Sequence, residues 1–239
     1  VRHVRLRGAD HTRSLPLNLW HDFWWGVRVA RALPAADVTI CNIVSLPVWL
    51  RRIRPAAGRV VAVVARMPKG QGRLFGGADL LFSLSDAVTV KLRAENPALA
   101  ARIVPFPFPI DWQLHAAAHA SRPPGAPVTI GYIGRIHPEK GVHLLLAAAA
   151  RLAARPDLPA WRLELTGPWT VPQGGGGKTY RDQLLHDFGA ALGQRLSFAG
   201  PEFDATRLAQ RYGALDVFCY PSLAEKGETF GVAVAEAMA

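Results

Sequence analysis

The chain has 239 residues, half of them hydrophobic and 19% charged, the balance of a globular protein with a real core. No apolar run approaches the ~18 residues of a membrane span, and no apolar signal segment follows the basic start VRHVRLRG. The net charge of +10 is lopsided, because residues 1–113 hold 16 Lys and Arg against 7 Asp and Glu, whereas residues 114–239 hold 12 against 11.

A basic half suggests an anionic partner, whether nucleic acid, an acidic membrane face or a phosphate-bearing substrate; the blander reading is a generic arginine-rich surface. Cys41 and Cys219 stand alone in apolar runs, which excludes a disulfide framework or a zinc site and reads as two free thiols. The chain starts at Val1 and stops inside a helix-like run, so a fragment at both ends is expected.

Strand-like and helix-like runs alternate along the chain. Residues 19–33 place Trp20, Phe23, Trp24 and Val27 at helical spacing; such aromatics pack in a core, or with flanking arginines dip into a membrane surface. Strands are expected at 37–43, 59–65 and 78–85, with a helix at 86–100. The prolines of RIVPFPFPID (102–111) bar a helix and central-strand pairing, so this reads as an extended exit segment. The piece HAAAHASRPPGAP then looks like a junction. The expected organisation is a first domain at 1–112, a linker at 113–127 and a second domain at 128–239.

The second half has strands at 127–134, 161–167, 195–200 and 216–222, the first three ending in glycine. Helices are expected at 142–154, 179–192 and 204–215, with Asp204 as an N-cap, and from residue 231 onward. The glycine-rich insert VPQGGGGK (171–178) reads as a mobile loop. This βαβαβαβα order predicts an α/β fold with a doubly wound parallel sheet, whose ligands sit beyond the carboxyl ends of the strands.

Two stretches at those ends carry chemistry. In GRIHPEKG, Arg135 and Lys140 lie five residues apart in a glycine-bounded loop, a fork of donors and a point charge suited to a diphosphate. A solvated Arg–Glu surface pair is the alternative. In GETFG, Gly231 stands at a helix start, so the amides of Thr229, Phe230 and Gly231 can bind an anion. Glu228 precedes them and Glu236 follows eight residues on; at about 100° per residue both acids return to within about 80° of one direction and can face one cleft. The alternative makes Glu228 a cap and Glu236 a solvated helix residue.

In their order and spacing, the stretches IGYIGRIHPEKGVHLLLAAAARL, LELTG, LSFAG and DVFCYPSLAEKGETFGVAVAEAMA resemble the donor-binding domain of GT-B glycosyltransferases of family 4, the glycosyl transferases group 1 domain. The resemblance spans about residues 127 to 239. The first half resembles the acceptor-side domain of that family in ADVTICNI, ADLLFSLSDA and RIVPFPFPID. Arg66, Lys69 and Arg73 occupy the place where the family has a histidine, and the family's glycine-rich loop near the N-terminus has no counterpart.

The resemblance implies two Rossmann-like doubly wound domains and a retaining, metal-independent transfer of a sugar from a UDP-, GDP- or ADP-sugar to a glycan, lipid or small-molecule acceptor. It implies that Arg135, Lys140 and Glu228 act in catalysis. It also implies that Gly134, Arg135, Lys140, Gly167, Glu228, Thr229, Phe230, Gly231 and Glu236 bind the donor, with Glu228 at the sugar and Glu236 at the ribose. Arg66, Lys69 and Arg73 are expected to face an anionic or lipid-linked acceptor.

No cofactor, metal or nucleic acid is expected, and the expected location is cytoplasmic, with the basic half against the inner membrane face, in polysaccharide biosynthesis. The rivals are a non-catalytic basic module for nucleic acid or membrane and a nucleotide-sugar epimerase of the same fold.

Overall fold

Runs of β-branched and small residues build two parallel sheets. The computed structural model describes residues 5–6, 14–43, 46–120, 123–224 and 230–239. The chain divides into two compact units, one running to Phe108 and the other starting at Pro109.

The first unit contains α1 (Leu15–Ala32), β1 (Val38–Cys41), α2 (Leu46–Ile53), β2 (Arg59–Val64), β3 (Leu80–Ser83), α3 (Asp86–Glu95) and β4 (Ile103–Pro105). Its strands pair in the order β1-β2-β3-β4, all parallel. β2 is covered on both faces, with Val60, Val61, Ala62 and Val64 buried, as a central parallel strand of continuous apolar residues must be. β4 lies at the edge, where Pro105 costs no ladder bond. The exit segment therefore pairs briefly before leaving the sheet.

α1 turns Val27 and Ala30 inward, while Trp20 and Trp24 remain 57% and 41% exposed. Of the aromatics at helical spacing, Phe23 packs edge-on against Trp49 at 4.9 Å. α2 has no counterpart in the sequence reading, since eight residues with Pro47 near the start show barely two turns of apolar period.

Burial pushes the Cys41 thiol up to about 11 from 9.0. The folded state holds that proton more tightly than the unfolded chain. This contribution to stability is thus full below pH 9 and lost as pH rises toward 11. At pH 8 only about one Cys41 in a thousand is a thiolate. Iodoacetamide should accordingly label native Cys41 at least about tenfold more slowly than the urea-unfolded chain, and equal rates would contradict this burial.

The second unit contains α4 (Trp112–Ala118), β5 (Val128–Ile133), α5 (Val142–Ala153), β6 (Trp161–Thr166), α6 (Gly177–Leu192), β7 (Leu196–Gly200), α7 (Ala205–Gly213), β8 (Val217–Phe218) and α8 (Val232–Met238). Its parallel strands run in the order β7-β6-β5-β8. The order reverses between β5 and β8, the switch point where doubly wound sheets open a crevice. Asp204 caps α7 as expected, accepting from Arg207 N at 2.9 Å.

Two expectations need correction. Residues 113–127 are not simply a linker. Asp111 caps α4 through Leu114 N at 3.0 Å, and α4 packs on α7 with His115 buried against Tyr212. Ala120 N also bonds Gly213 O at 3.1 Å. Nor is the glycine-rich insert without anchorage: Gly175 N bonds Thr170 O at 2.8 Å, Gly176 N bonds Ile136 O at 2.8 Å and Gly177 N bonds Trp169 O at 2.7 Å. A Cβ on Gly175 would lie 2.2 Å from Trp169 C. These glycines permit close packing rather than looseness.

Candidate active site

The carboxyl ends of β5, β6 and β7 are drawn together by glycines. Gly134 N donates to Thr166 O at 2.9 Å and Gly167 N to Gly200 O at 2.9 Å. A Cβ on Gly167 would stand 1.8 Å from Gly134 O.

From this floor rises the loop 135–141. Buried Ile136 anchors it, its N–H donating to Pro168 O at 2.9 Å. Arg135 is 43% exposed, donating through Nη1 to Gly174 O at 2.9 Å and through Nη2 to Glu139 Oε1 at 2.6 Å. His137 accepts from Glu139 N at 3.3 Å and so caps the short 3-10 turn Pro138–Lys140. That is a structural role for the one histidine of the loop.

Lys140 is only 9% exposed. Its Nζ donates to the Tyr220 hydroxyl at 3.3 Å and lies 5.6 Å from the ring centre. Gly141 follows with φ +66, and a Cβ there would lie 2.0 Å from Pro221 O. Leu223 N donates to Glu139 O at 2.8 Å. The loop after β5 and the segment after β8 are therefore sewn together across the switch point. The arrangement holds a guanidinium, a shielded ammonium and the N-terminus of the twelve-residue α5 at one strand edge, a set that favours an anion.

Glu236, on α8, is placed by a different contact. The Tyr212 hydroxyl donates to Glu236 Oε2 at 3.0 Å. Burial first, and the Glu236 charge second, push that hydroxyl far above the ordinary tyrosine range. Tyr212 thus remains a donor throughout the pH range in which proteins fold.

Gly231 forms the N-cap of α8, its carbonyl accepting from Val234 N at 2.9 Å and Ala235 N at 3.0 Å. Phe230 groups with the first unit, its ring 6.2 Å from that of Phe108. Glu228 and Thr229 lie outside the described residues.

Arg66, Lys69 and Arg73 lie in the segment after β2, and all three are exposed. Glu95 shapes that segment by accepting from Gly70 N at 2.8 Å and Gly72 N at 2.9 Å. The structure therefore brings Gly134, Arg135, Lys140 and Gly167 together at one sheet edge, while the three acceptor-side cations belong to the other unit. Sequence reasoning missed Tyr132, Tyr212, Tyr220 and the bond from Leu223 N to Glu139 O, while the Arg–Glu pair it weighed in this loop is present between Arg135 and Glu139. A tyrosine inside or beside an apolar run signals core packing and hides its hydroxyl.

Two surface depressions lie at the opposite, amino-terminal end of the second sheet, around Trp161 and Arg195. Arg155 beside them is paired with Asp157 at 2.6 Å, and they are remote from the strand ends where the switch-point rule places a ligand. Among the described residues no helix is long and apolar enough to cross a membrane, and no His, Cys, Asp and Glu group could hold a metal.

The profile of the family described as "Glycosyl transferases group 1" matches residues 127–239. A D-inositol 3-phosphate glycosyltransferase of Nocardia farcinica is 35% identical over 126 residues, covering 52% of this chain and 26% of that protein. Its namesake in Stackebrandtia nassauensis is 38% identical over 120 residues, covering 48% and 25%. The match thus spans about a quarter of the length of these curated relatives.

Among solved structures, an α,α-trehalose-phosphate synthase (UDP-forming) from Burkholderia vietnamiensis superposes with a TM-score of 0.72 at 13% identity, covering 94% of this chain and 59% of that one. A lipopolysaccharide outer core galactosyltransferase, WaaB in its apo form, gives 0.62 at 17%, covering 94% and 60%. These likenesses establish the fold, the two Rossmann-like units of the GT-B class.

Proposed function

We propose that the protein, whose residues 127–239 match the family described as glycosyl transferases group 1, takes a sugar from a nucleoside-diphosphate donor and delivers it to an acceptor hydroxyl with retention of anomeric configuration. The observation that carries this reading is the loop 135–141, with its shielded Lys140, at the reversal of strand order. As the bond from anomeric carbon to diphosphate breaks, its electron pair stays on the diphosphate oxygen. Lys140 and Arg135 are suited to stabilise that charge, in a position fixed before the reaction begins.

Arg135 reaches the diphosphate by exchanging the Glu139 carboxylate for it. Lys140 already stands at the loop, its ammonium shielded and donating to the Tyr220 hydroxyl at 3.3 Å. Glu228 meets the sugar and Glu236 the ribose, and the amides of Thr229, Phe230 and Gly231 add donors toward the donor's anionic part. The transfer proceeds without a metal.

The acceptor we propose is anionic or lipid-linked, gripped by Arg66, Lys69 and Arg73. The inositol phosphate in the relatives' name is an acceptor of that charge. We propose a cytoplasmic location with contact at the inner membrane face, made by α1, which carries exposed Trp20, Trp24, Arg28 and Arg31.

Calorimetry with UDP-, GDP- and ADP-glucose tests the reading. At least one should bind the folded chain with a Kd below about 1 mM, and Lys140→Ala should weaken it. If none binds, the transferase reading fails. If binding survives Lys140→Ala unchanged, the assignment of the site fails.

A further inference from the structure

Three tyrosines of the second unit each touch one member of the donor site. Tyr132, on β5 and fully buried, donates its hydroxyl proton to Arg135 O at 2.7 Å. Tyr220, just past β8, accepts from Lys140 Nζ at 3.3 Å. Tyr212, near the end of α7, donates to Glu236 Oε2 at 3.0 Å.

Their rings form one row. Tyr212 and Phe218 are 5.7 Å apart, Phe218 and Tyr220 6.1 Å with planes 22° apart, and Tyr220 and Tyr132 6.4 Å with planes 15° apart. The row runs beneath the switch point from Glu236 on α8 to Arg135 after β5.

We infer that the row Tyr212–Phe218–Tyr220–Tyr132 is a positioning frame that sets Glu236 for the ribose diol and Lys140 for the diphosphate; this rests on the donor-binding reading above. Glu and Lys side chains carry rotamer freedom that binding must otherwise remove. A tyrosine has two side-chain torsions, and packing of the ring against its neighbours fixes both. Tyr212 directs its one proton to Oε2, so the carboxylate is oriented and Oε1 can meet a pair of vicinal hydroxyls. The tyrosines touch donor-site groups rather than reacting atoms, and their part is orientation.

The inference is tested by calorimetry on the whole chain with UDP, GDP and ADP, each against its 2′-deoxy form. The wild type should prefer the ribo form by about tenfold, the worth of a hydrogen bond to a charged acceptor. Glu236→Ala should bring the ratio to about one. Tyr212→Phe removes a single oxygen and keeps the ring in the row. It should cut the ratio at least about threefold while 2′-deoxy affinity stays unchanged, which a general loosening of the fold would not do. Tyr220→Phe should weaken ribo and deoxy forms equally and leave the ratio intact.

A wild-type ratio in Tyr212→Phe, alongside a collapsed ratio in Glu236→Ala, overturns the frame and leaves the ribose reading standing. An unchanged ratio in Glu236→Ala overturns the ribose reading, and the frame with it.

Discussion

Replacing Lys140 with methionine is expected to weaken nucleoside-diphosphate binding by about ten- to a hundredfold, the range of a charge-assisted hydrogen bond. Methionine keeps the apolar stem that packs in this 9% exposed position and removes only the ammonium. Tyr220 keeps access to water, being only partly buried.

Arg135→Ala should cost less. Its guanidinium is 43% exposed and already committed to Glu139 and Gly174, so part of its gain on binding offsets the loss of those partners. Titration of a nucleoside diphosphate into the three proteins, with melting curves alongside, checks the order. Equal affinity in wild type and Lys140→Met would remove the ammonium from the site.

The second large effect concerns folding. Gly167→Ala should destabilise the protein by about 3 kcal/mol or more. The new Cβ would stand 1.8 Å from Gly134 O and 2.7 Å from Gly134 C, backbone atoms that no rotamer change can move. The φ of +149 adds strain for any residue with a side chain. Relief requires pulling β5 and β6 apart at their carboxyl ends, which breaks the Gly134–Thr166 bond.

Gly189→Ala is the matched control. Gly189 lies within α6, where an added methyl would meet nothing inside 4 Å, so alanine there should stabilise by about 0.5–1 kcal/mol. Urea denaturation of both variants measures the contrast. Similar changes in the two would show that the glycine floor is not held as described.

Much of this was legible in the residues alone. β2 and β5 declare themselves as continuous apolar runs because parallel strands are covered on both faces. The glycines closing β5, β6 and β7 mark the strand ends where backbone meets backbone. What stayed hidden depends on contacts far apart in sequence.

The Ala- and His-rich piece before the second sheet reads as a junction, because its helix is held by α7 nearly a hundred residues later. The VPQGGGGK insert reads as loose for the same reason: its order comes from the backbone of Ile136 and Trp169. Tyr212, Tyr220 and Tyr132 look like core side chains in apolar surroundings, and only their hydroxyl partners reveal a second role. Glu236 could be named from its spacing, but its tether to Tyr212 could not.

The most direct test of the central claim, a donor site at the β5–β8 switch point, is amide chemical-shift mapping of the isotopically labelled chain titrated with UDP-, GDP- or ADP-glucose. The account predicts the largest perturbations at residues 134–141 and at Tyr220, Ser222 and Leu223, where the two segments are joined. Largest perturbations instead around residues 153–161 and 193–195, at the opposite end of the same sheet, would contradict it.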